Sequence, residues 1–187
     1  MQELHNSSLS LISWARSQVA HLQEQLSNET ELKLERKLRN EEPGIRGLAI
    51  EALARKNTPK AIELIISSLG DEDYSVRLTS IFEVVKLKIK EAIPSLIEII
   101  NNDENNEVVA VATDVLGDLG AEEAIPSLIE KLTDDNETVR EAAADSLGKL
   151  GAKEAVEPLR MLLNDDEEFV RETAKRAIEK IERKKET

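Results

Sequence analysis

Hydrophobic residues along most of this chain recur at intervals of three and four, which is the spacing of one face of an α-helix. In the segment from about Lys153 to Leu163, the residues that share a face are Ala155, Val156, Leu159, Leu162 and Leu163. From about Val139 to Leu150, they are Val139, Ala142, Ala143, Ser146, Leu147 and Leu150. Neither segment shows the strict alternation of a strand, so the pattern predicts two amphipathic helices in succession, here termed A and B.

This pair of helices repeats along the sequence every 31 or 32 residues. A block that begins Ala-Ile or Ala-Val opens the A helices of units two to five: Ala61-Ile62-Glu63-Leu64 returns as Ala92-Ile93-Pro94-Ser95-Leu96, Ala124-Ile125-Pro126-Ser127-Leu128 and Ala155-Val156-Glu157-Pro158-Leu159. A second block opens each B helix, and its copies begin at Ile45, Val76, Val108, Val139 and Val170. Self-similarity at this period predicts a solenoid built from stacked helical pairs.

Polar residues at the helix ends support the same reading. Asp73, Asn105 and Asn136 precede B helices and are expected to be N-caps. Gly120 and Gly151 follow the last apolar residue of a B helix, where a left-handed C-cap is expected, and Asn57 takes this place in the first unit. Lys88 takes it in the second unit. Because a left-handed lysine is strained, we expect a frayed or extended helix end there.

The order of these motifs resembles that of short HEAT-like repeats, most closely the subclass named after phycobilin lyases. Its marks are Asp134 before Val139-Arg140, then Leu147-Gly148-Lys149-Leu150-Gly151-Ala152, then Ala155-Val156 with Leu159. The resemblance covers residues 41–183, although Val109 replaces the arginine of the third unit and Asn40 the aspartate of the first. It implies that arginines bridge to turn aspartates of their own or a neighbouring unit. The arginines are Arg46, Arg77, Arg140 and Arg171, and the aspartates are Asp71, Asp103, Asp134 and Asp165.

The expected fold is an all-α, right-handed α-α superhelix of about five helix pairs. The units are expected at about 29–57, 58–88, 89–120, 121–151 and 152–183, followed by a polar tail at 184–187. Residues 1–28 are expected to form an amphipathic helix that caps the first unit. Its apolar stripe consists of Leu11, Ile12, Ala15, Val19, Leu22 and Leu26, and Trp14 lies beside the stripe.

Charge and composition narrow the classes of partner. The net charge is −13 and residues 102–145 hold 13 acidic and 2 basic side chains, which argues against nucleic acid and against an anionic membrane. Residues 1–21 lack the basic start and apolar run of a signal peptide, and the chain has no cysteine. We therefore expect a cytoplasmic protein.

No catalytic or metal-binding constellation is evident in the sequence. His5 and His21 lie outside the repeats without ligand spacing, and the acidic pairs recur on turns, as capping residues do. The glycines lie singly at helix ends or on helix faces, where Gly117 and Gly148 are expected to allow close helix approach. We expect no cofactor and no enzymatic activity.

One departure from the repeat suggests a binding surface. In HEAT-like solenoids helix B lines the concave surface, and the second unit places apolar residues at positions predicted to face outward. The candidate partner-binding residues are the apolar Ile50, Leu78, Ile81, Phe82, Val85 and Val109 and the acidic Asp114, Asp118, Glu141 and Asp145. An apolar patch beside carboxylates is what a basic, amphipathic helix needs. The alternative is that the N-terminal helix covers the patch.

These observations favour a non-enzymatic scaffold that binds a partner protein on the concave surface. Two other functions stay open. One, implied by the resemblance, is a phycobilin lyase-like or chaperone subunit acting on a tetrapyrrole-carrying protein. The other is a self-associating structural protein that forms a homodimer through the N-terminal helix.

Overall fold

The computed structural model describes residues 16–19, 21–26 and 29–183. Ten α-helices follow residue 30, and no strand occurs within the described ranges. They are α1 (Glu31–Lys37), α2 (Pro43–Lys56), α3 (Pro59–Ser67), α4 (Tyr74–Leu87), α5 (Ile93–Asn102), α6 (Asn106–Leu119), α7 (Ile125–Lys131), α8 (Glu137–Leu150), α9 (Val156–Met161) and α10 (Glu168–Arg183). Short 3-10 turns flank several of them, at Ser68–Gly70, Lys90–Ala92, Glu122–Ala124, Lys153–Ala155 and Leu162–Asn164.

The helices form two layers. The even-numbered helices are the B helices, and they pack side by side in the order α2, α4, α6, α8, α10, while the odd-numbered A helices pack against them. A continuous aliphatic core lies between the layers. None of the aromatic residues in the described ranges is buried. The expected all-α repeat solenoid is therefore confirmed.

The helix ends follow the capping residues in the sequence. Side chains of Asp73, Asn105 and Asn136 accept hydrogen bonds from first-turn amides of α4, α6 and α8, as predicted. Asn57, Gly120 and Gly151 adopt the predicted left-handed conformation. These caps fix where each B helix starts and stops, and hence the register of its faces.

The expectation of a frayed or extended end at Lys88 is wrong. Helix α4 ends at Leu87, and Lys88 is itself left-handed with φ 54°. The amide of Lys88 donates to the carbonyl of Val85 at 3.0 Å and that of Ile89 to the carbonyl of Val84 at 2.9 Å, and the Ile89 side chain is buried. Two satisfied carbonyls and a buried isoleucine offset the strain of a left-handed lysine.

The described part of the N-terminal segment, residues 16–19 and 21–26, is helical. Leu26 is buried and the Gln23 amide donates to Glu51 on α2 at 3.0 Å, so the segment rests against the first unit. However, Val19 and Leu22 are 45% and 37% exposed. The stripe is therefore only partly packed. Leu11, Ile12, Trp14 and Ala15 lie outside the described residues.

Glycines set how closely the B helices approach one another. A Cβ on Gly117 would lie 2.8 Å from Cα of Ser146, and one on Gly148 would lie 2.9 Å from Cα of Ala177. Both distances are too short for any side chain, so α6, α8 and α10 touch backbone to backbone, as predicted. The equivalent residues in α2 and α4 are Ala54 and Val85. These side chains hold the first three B helices further apart.

No helix among the described residues combines the length and the apolar composition that crossing a bilayer requires.

Candidate partner-binding surface

Arginine–aspartate clamps join successive units along one edge of the B layer. Nε and Nη2 of Arg77 donate to the two carboxylate oxygens of Asp103 at 2.7 and 2.8 Å. Its Nη1 donates to the carbonyls of Asp71 and Glu72 at 2.8 and 3.1 Å. Arg46 with Asp71 and Arg140 with Asp165 repeat this geometry. The sequence left open whether each arginine bridges to an aspartate of its own unit or of a neighbouring one. In all three clamps the aspartate belongs to the next unit.

The clamp is incomplete in two units. Val109 occupies the arginine position of the third unit, and Asp134 instead accepts from Lys131 at 3.3 Å. Arg171 in the last unit holds the carbonyls of Asp165 and Asp166, but no carboxylate of the described residues faces its fork. In the three remaining clamps both side chains are largely buried, and each arginine donates to a carboxylate and to backbone carbonyls. They hold the fold together and leave the outward faces of the B helices free to vary.

Positions on the B helices are numbered here from the opening residues Ile45, Val76, Val108, Val139 and Val170. Three of the candidate apolar residues prove to be buried: Ile50 and Ile81 at position +5 are 0% exposed, and Val109 at +1 is 3% exposed. The expectation that they face outward is wrong because neighbouring B helices pack against α2, α4 and α6. Positions +1 and +5 turn towards a neighbouring helix, and the open stripe is narrower than the sequence suggested.

A smaller apolar stripe remains open on α4. Phe82 at position +6 is 58% exposed, and Leu78 and Val85 beside it are half-buried. Tyr74, 48% exposed, extends the stripe by one turn, so that Tyr74, Leu78 and Phe82 lie at i, i+4 and i+8. Sequence reasoning missed Tyr74 because it counted only from Val76. Tyr74 lies four residues before Leu78, and this i, i+4 spacing was the signal in the sequence that could have placed it on the same face of the helix.

The acidic candidates do lie together, on α6 and α8. Asp114 and Asp118 are exposed on α6, and Glu141 and Asp145 are partly exposed on α8. They line one side of a groove of about 410 Å³, together with basic residues that the sequence reasoning left out. Lys149 bridges Asp118 at 2.7 Å and Asp145 at 3.1 Å, and Lys180 reaches Asp145 at 3.2 Å. Internal lysines therefore neutralise much of the acidic patch.

Asp114 is the exception in this groove. The Lys149 ammonium acts on its carboxylate as a nearby opposite charge. Partial desolvation in the groove raises the pKa of Asp114, and the nearby carboxylates of Asp145, Asp118 and Glu141 raise it further against the opposing effect of Lys149. A cation brought to this carboxylate would relieve the repulsion.

Solved structures with the same architecture are helical repeat proteins. The complex of CpcE and CpcF of phycocyanin lyase from Nostoc sp. PCC7120 contains a chain that matches with a TM-score of 0.69 at 22% identity. The match covers 83% of this chain, which spans 66% of the length of that one. A designed armadillo repeat protein in complex with the peptide (KR)4 matches with a TM-score of 0.60 at 18% identity, covering 89% of this chain and 92% of the other.

At these identities the likeness to solved structures establishes the fold alone. No curated protein is significantly similar in sequence. The family model for HEAT repeats matches residues 31–117 and 93–179, which together span most of the chain. These matches fall on the same helical pairs and clamps described above. The chain therefore belongs to the HEAT repeat family.

Proposed function

We propose that this protein is a non-enzymatic scaffold that binds a segment of a partner protein on the concave surface formed by its B helices. The observation that carries the proposal is the open stripe of Tyr74, Leu78 and Phe82 on α4. All three aromatic residues of the described ranges (Tyr74, Phe82 and Phe169) are at least 39% exposed, while the core is aliphatic. Aromatic side chains are the commonest energetic anchors of protein interfaces.

The chemistry of the neighbouring helix favours a basic partner. Asp114 lies at position +6 of α6, where Phe82 lies on α4, so an apolar and an acidic side chain stand at the same height on adjacent helices. A partner helix with an apolar stripe and a flanking Lys or Arg would satisfy both. The designed armadillo protein with the peptide (KR)4 is a helical repeat protein of similar fold in complex with a basic peptide.

A pull-down with matched variants tests the proposal. The wild-type protein, a Leu78→Ser/Phe82→Ser variant and a Met161→Ser/Leu163→Ser control would each be immobilised and exposed to lysate of the source cells. Met161 and Leu163 are also exposed, at 77% and 41%, but lie in the last unit. A defined protein retained by wild type and control, and lost with the α4 variant, supports the proposal. Equal retention by all three contradicts it.

The similarity to a phycocyanin lyase chain favours a second candidate, a lyase-like or chaperone subunit acting on a tetrapyrrole-carrying protein. Mixing the protein with a free bilin and recording the absorption spectrum separates the two. A spectral shift that saturates at a fixed stoichiometry favours the lyase-like function. An unchanged spectrum, with a partner that carries no tetrapyrrole, favours the scaffold.

The exposed Val19 and Leu22 favour a third candidate, self-association through the N-terminal helix. Light scattering on the protein with and without residues 1–27 tests it. A dimer that becomes a monomer on truncation supports a homodimer held by this helix. A monomer in both cases contradicts this candidate function. The cytoplasmic location stays a prediction, which fractionation of the source cells tests.

A further inference from the structure

Arg171, at position +1 of α10, is anchored like the arginine of a complete clamp. Its Nη1 donates to the carbonyls of Asp165 and Asp166 at 2.5 and 2.8 Å, and Nη1 of Arg77 and of Arg140 is bound in the same way by the turns before α4 and α8. Because the anchoring bonds are the same, Nε and Nη2 of Arg171 face the side on which the other clamps hold an aspartate of the next unit. Among the described residues, neither of these two nitrogens has an acceptor.

The three complete clamps define what such a fork binds. In each of them, Nε and Nη2 donate to the two oxygens of one aspartate at distances of 2.7 to 2.9 Å. The same carboxylate accepts the backbone amide two residues further on, as Asp103 does from Asn105 at 2.9 Å, so it is held in a turn before a helix. Two parallel hydrogen bonds match the planar fork to a carboxylate. The ligand that fits Arg171 is therefore an aspartate in a turn that precedes a helix.

A second copy of this chain offers no accessible turn of this kind among the described residues. Asn40 stands at the aspartate position of the first unit, and its side-chain NH2 would meet the fork as another donor. Asp134 lacks an arginine, but Val109 of the preceding unit, 3% exposed, stands where the fork would have to be. The remaining aspartates are held by their own arginines: Asp71, Asp103 and Asp165. The aspartate that fits Arg171 therefore belongs to a different protein.

The flank of α10 beside Arg171 is charged. Positions +2, +5 and +9 of a B helix lie on the side of the next unit, and on α4 they hold apolar residues. On α10 the same positions are exposed and hold Glu172, Lys175 and Glu179. Lys175 lies one turn after Arg171 on the same side of the helix, so a second cation adjoins the fork. An apolar helix stacked here would bury these charges uncompensated, so the partner must approach with a polar surface.

We infer that Arg171 and Lys175 form a docking site for an acidic turn, and the start of the helix after it, on a partner protein. The turn aspartate lies in the Arg171 fork, and a carboxylate of the following helix pairs with Lys175. Acidic turns already stack in this way inside the chain, where Arg77 joins the turns at 71–73 and 103–105. The site lies three B helices away from the stripe of α4 and does not depend on the function proposed above.

The probe is a synthetic peptide that begins Asp-Asp-Asn-Glu-Thr, the sequence of residues 134–138, and continues as an alanine-rich helix with Glu in its second turn. The readout is the Nε–Hε NMR signal of each arginine in the full, isotope-labelled chain. We expect the Arg171 signal to move and to saturate as peptide is added. The signals of Arg46, Arg77 and Arg140 should stay in place because their forks are filled. A control peptide with Asn for its first Asp should bind at least about tenfold more weakly.

Variants of the chain separate the fork from its charge, with the affinity read from the fluorescence anisotropy of labelled peptide. Arg171→Lys keeps the charge but loses the two parallel bonds, and should weaken binding at least about fivefold. Lys175→Ala should weaken it roughly threefold, because one exposed charge pair is lost. Lys153→Ala, an exposed lysine of the same unit, is the matched control and should change nothing. Phe82→Ala should also leave this affinity unchanged, which separates the site from the α4 stripe.

Four results would overturn the inference. They are an Arg171 signal that does not move, signals of all four arginines that move together, equal binding of the two peptides, and full binding by Arg171→Lys. If the Arg171 signal instead shifts with protein concentration in the absence of peptide, a second copy fills the fork, and the assignment to a different protein is wrong.

Discussion

Helices α4 and α8 occupy equivalent places in units two and four and agree on their inward faces, but they differ over most of their outward faces. Val76, Ser80 and Val84 of α4 are buried, as are Val139, Ala143 and Leu147 of α8. On the outward face the aligned residues are Leu78 and Glu141, then Phe82 and Asp145, then Lys86 and Lys149. The comparison separates the side chains that make the repeat fold from those left free to bind.

The flanks of the two helices also differ. Gly148 lets α10 come into backbone contact with α8, whereas Val85 keeps α6 away from α4. The B helix of unit four therefore packs more closely against the next B helix than that of unit two does. At the turn edge both helices use the same arginine clamp. Glycine contact and arginine clamp are thus two independent ways of joining neighbouring units.

Removal of a clamp should give the largest effect. Arg77→Ala removes the donors of two carbonyls and leaves the Asp103 carboxylate, 6% exposed, with the Asn105 amide but without its cation. Breaking one side of a buried ion pair costs about 3–5 kcal/mol, so the free energy of unfolding should fall by this order in urea denaturation. Lys60→Ala is the control, because both side chains of its pair with Glu63 are exposed. If both variants lower the free energy of unfolding by a similar amount, the clamp contributes no more to stability than an exposed ion pair does.

The same substitution at two glycines should have opposite signs. Gly117→Ala forces a methyl group to 2.8 Å from the Ser146 backbone and should destabilise the protein by about 1–3 kcal/mol. Gly47→Ala meets only the Thr79 side chain at 3.6 Å and should stabilise it by about 0.5–1 kcal/mol through helix propensity. Thermal unfolding of both variants tests this difference. If Gly117→Ala is neutral, the close approach of α6 and α8 is not required.

Two aspartates should respond oppositely to pH. The hydrogen bonds from Arg140 lower the pKa of Asp165 below its ordinary value. The ionised carboxylate therefore stabilises the folded protein at any pH above the pKa that Asp165 has in the unfolded chain. This stabilisation is lost as the pH falls through the lowered pKa of the folded state. Desolvation raises the pKa of Asp114, so its ionised form costs stability at neutral pH, and the cost shrinks as the pH falls.

Urea midpoints between pH 2 and 7 test this contrast. Asp165→Asn should be less stable than wild type at pH 7 and should lose less on acidification. Asp114→Asn should be slightly more stable at pH 7 and should converge on wild type below pH 4. Parallel curves for wild type and both variants would contradict these assignments.

Restoring the missing clamp should give the smallest effect. Val109→Arg places an arginine 25 residues before Asp134, the separation seen for Arg46 with Asp71 and Arg140 with Asp165. Because Asp134 already accepts from Lys131 and Asn136, the gain should stay below about 1 kcal/mol. A destabilised variant would indicate that the close contact around Gly117 leaves no room for the guanidinium.

The sequence predicted the repeat and the N-caps because each depends on local spacing, and the clamp residues were implied by the resemblance to HEAT-like repeats. It did not predict that Ile50, Ile81 and Val109 are buried, because their cover comes from neighbouring B helices some 30 residues away. The partners of Asp118 and Asp145 were missed for a related reason. Lys149 lies one turn from Asp145 on α8, but its pairing with Asp118 depends on how closely α6 and α8 approach. Long-range helix packing thus decides which outward positions stay open.

Chemical denaturation of Phe82→Ala and Val84→Ala tests the central claim most directly, which is that the outward stripe of α4 serves binding and not folding. Phe82 is 58% exposed and Val84 is 0% exposed on the same helix. We expect Phe82→Ala to change the free energy of unfolding by less than about 0.5 kcal/mol and Val84→Ala to lower it by roughly 1–3 kcal/mol. If Phe82→Ala instead destabilises the isolated protein as much as Val84→Ala does, the stripe is covered internally and the binding surface proposed here does not exist.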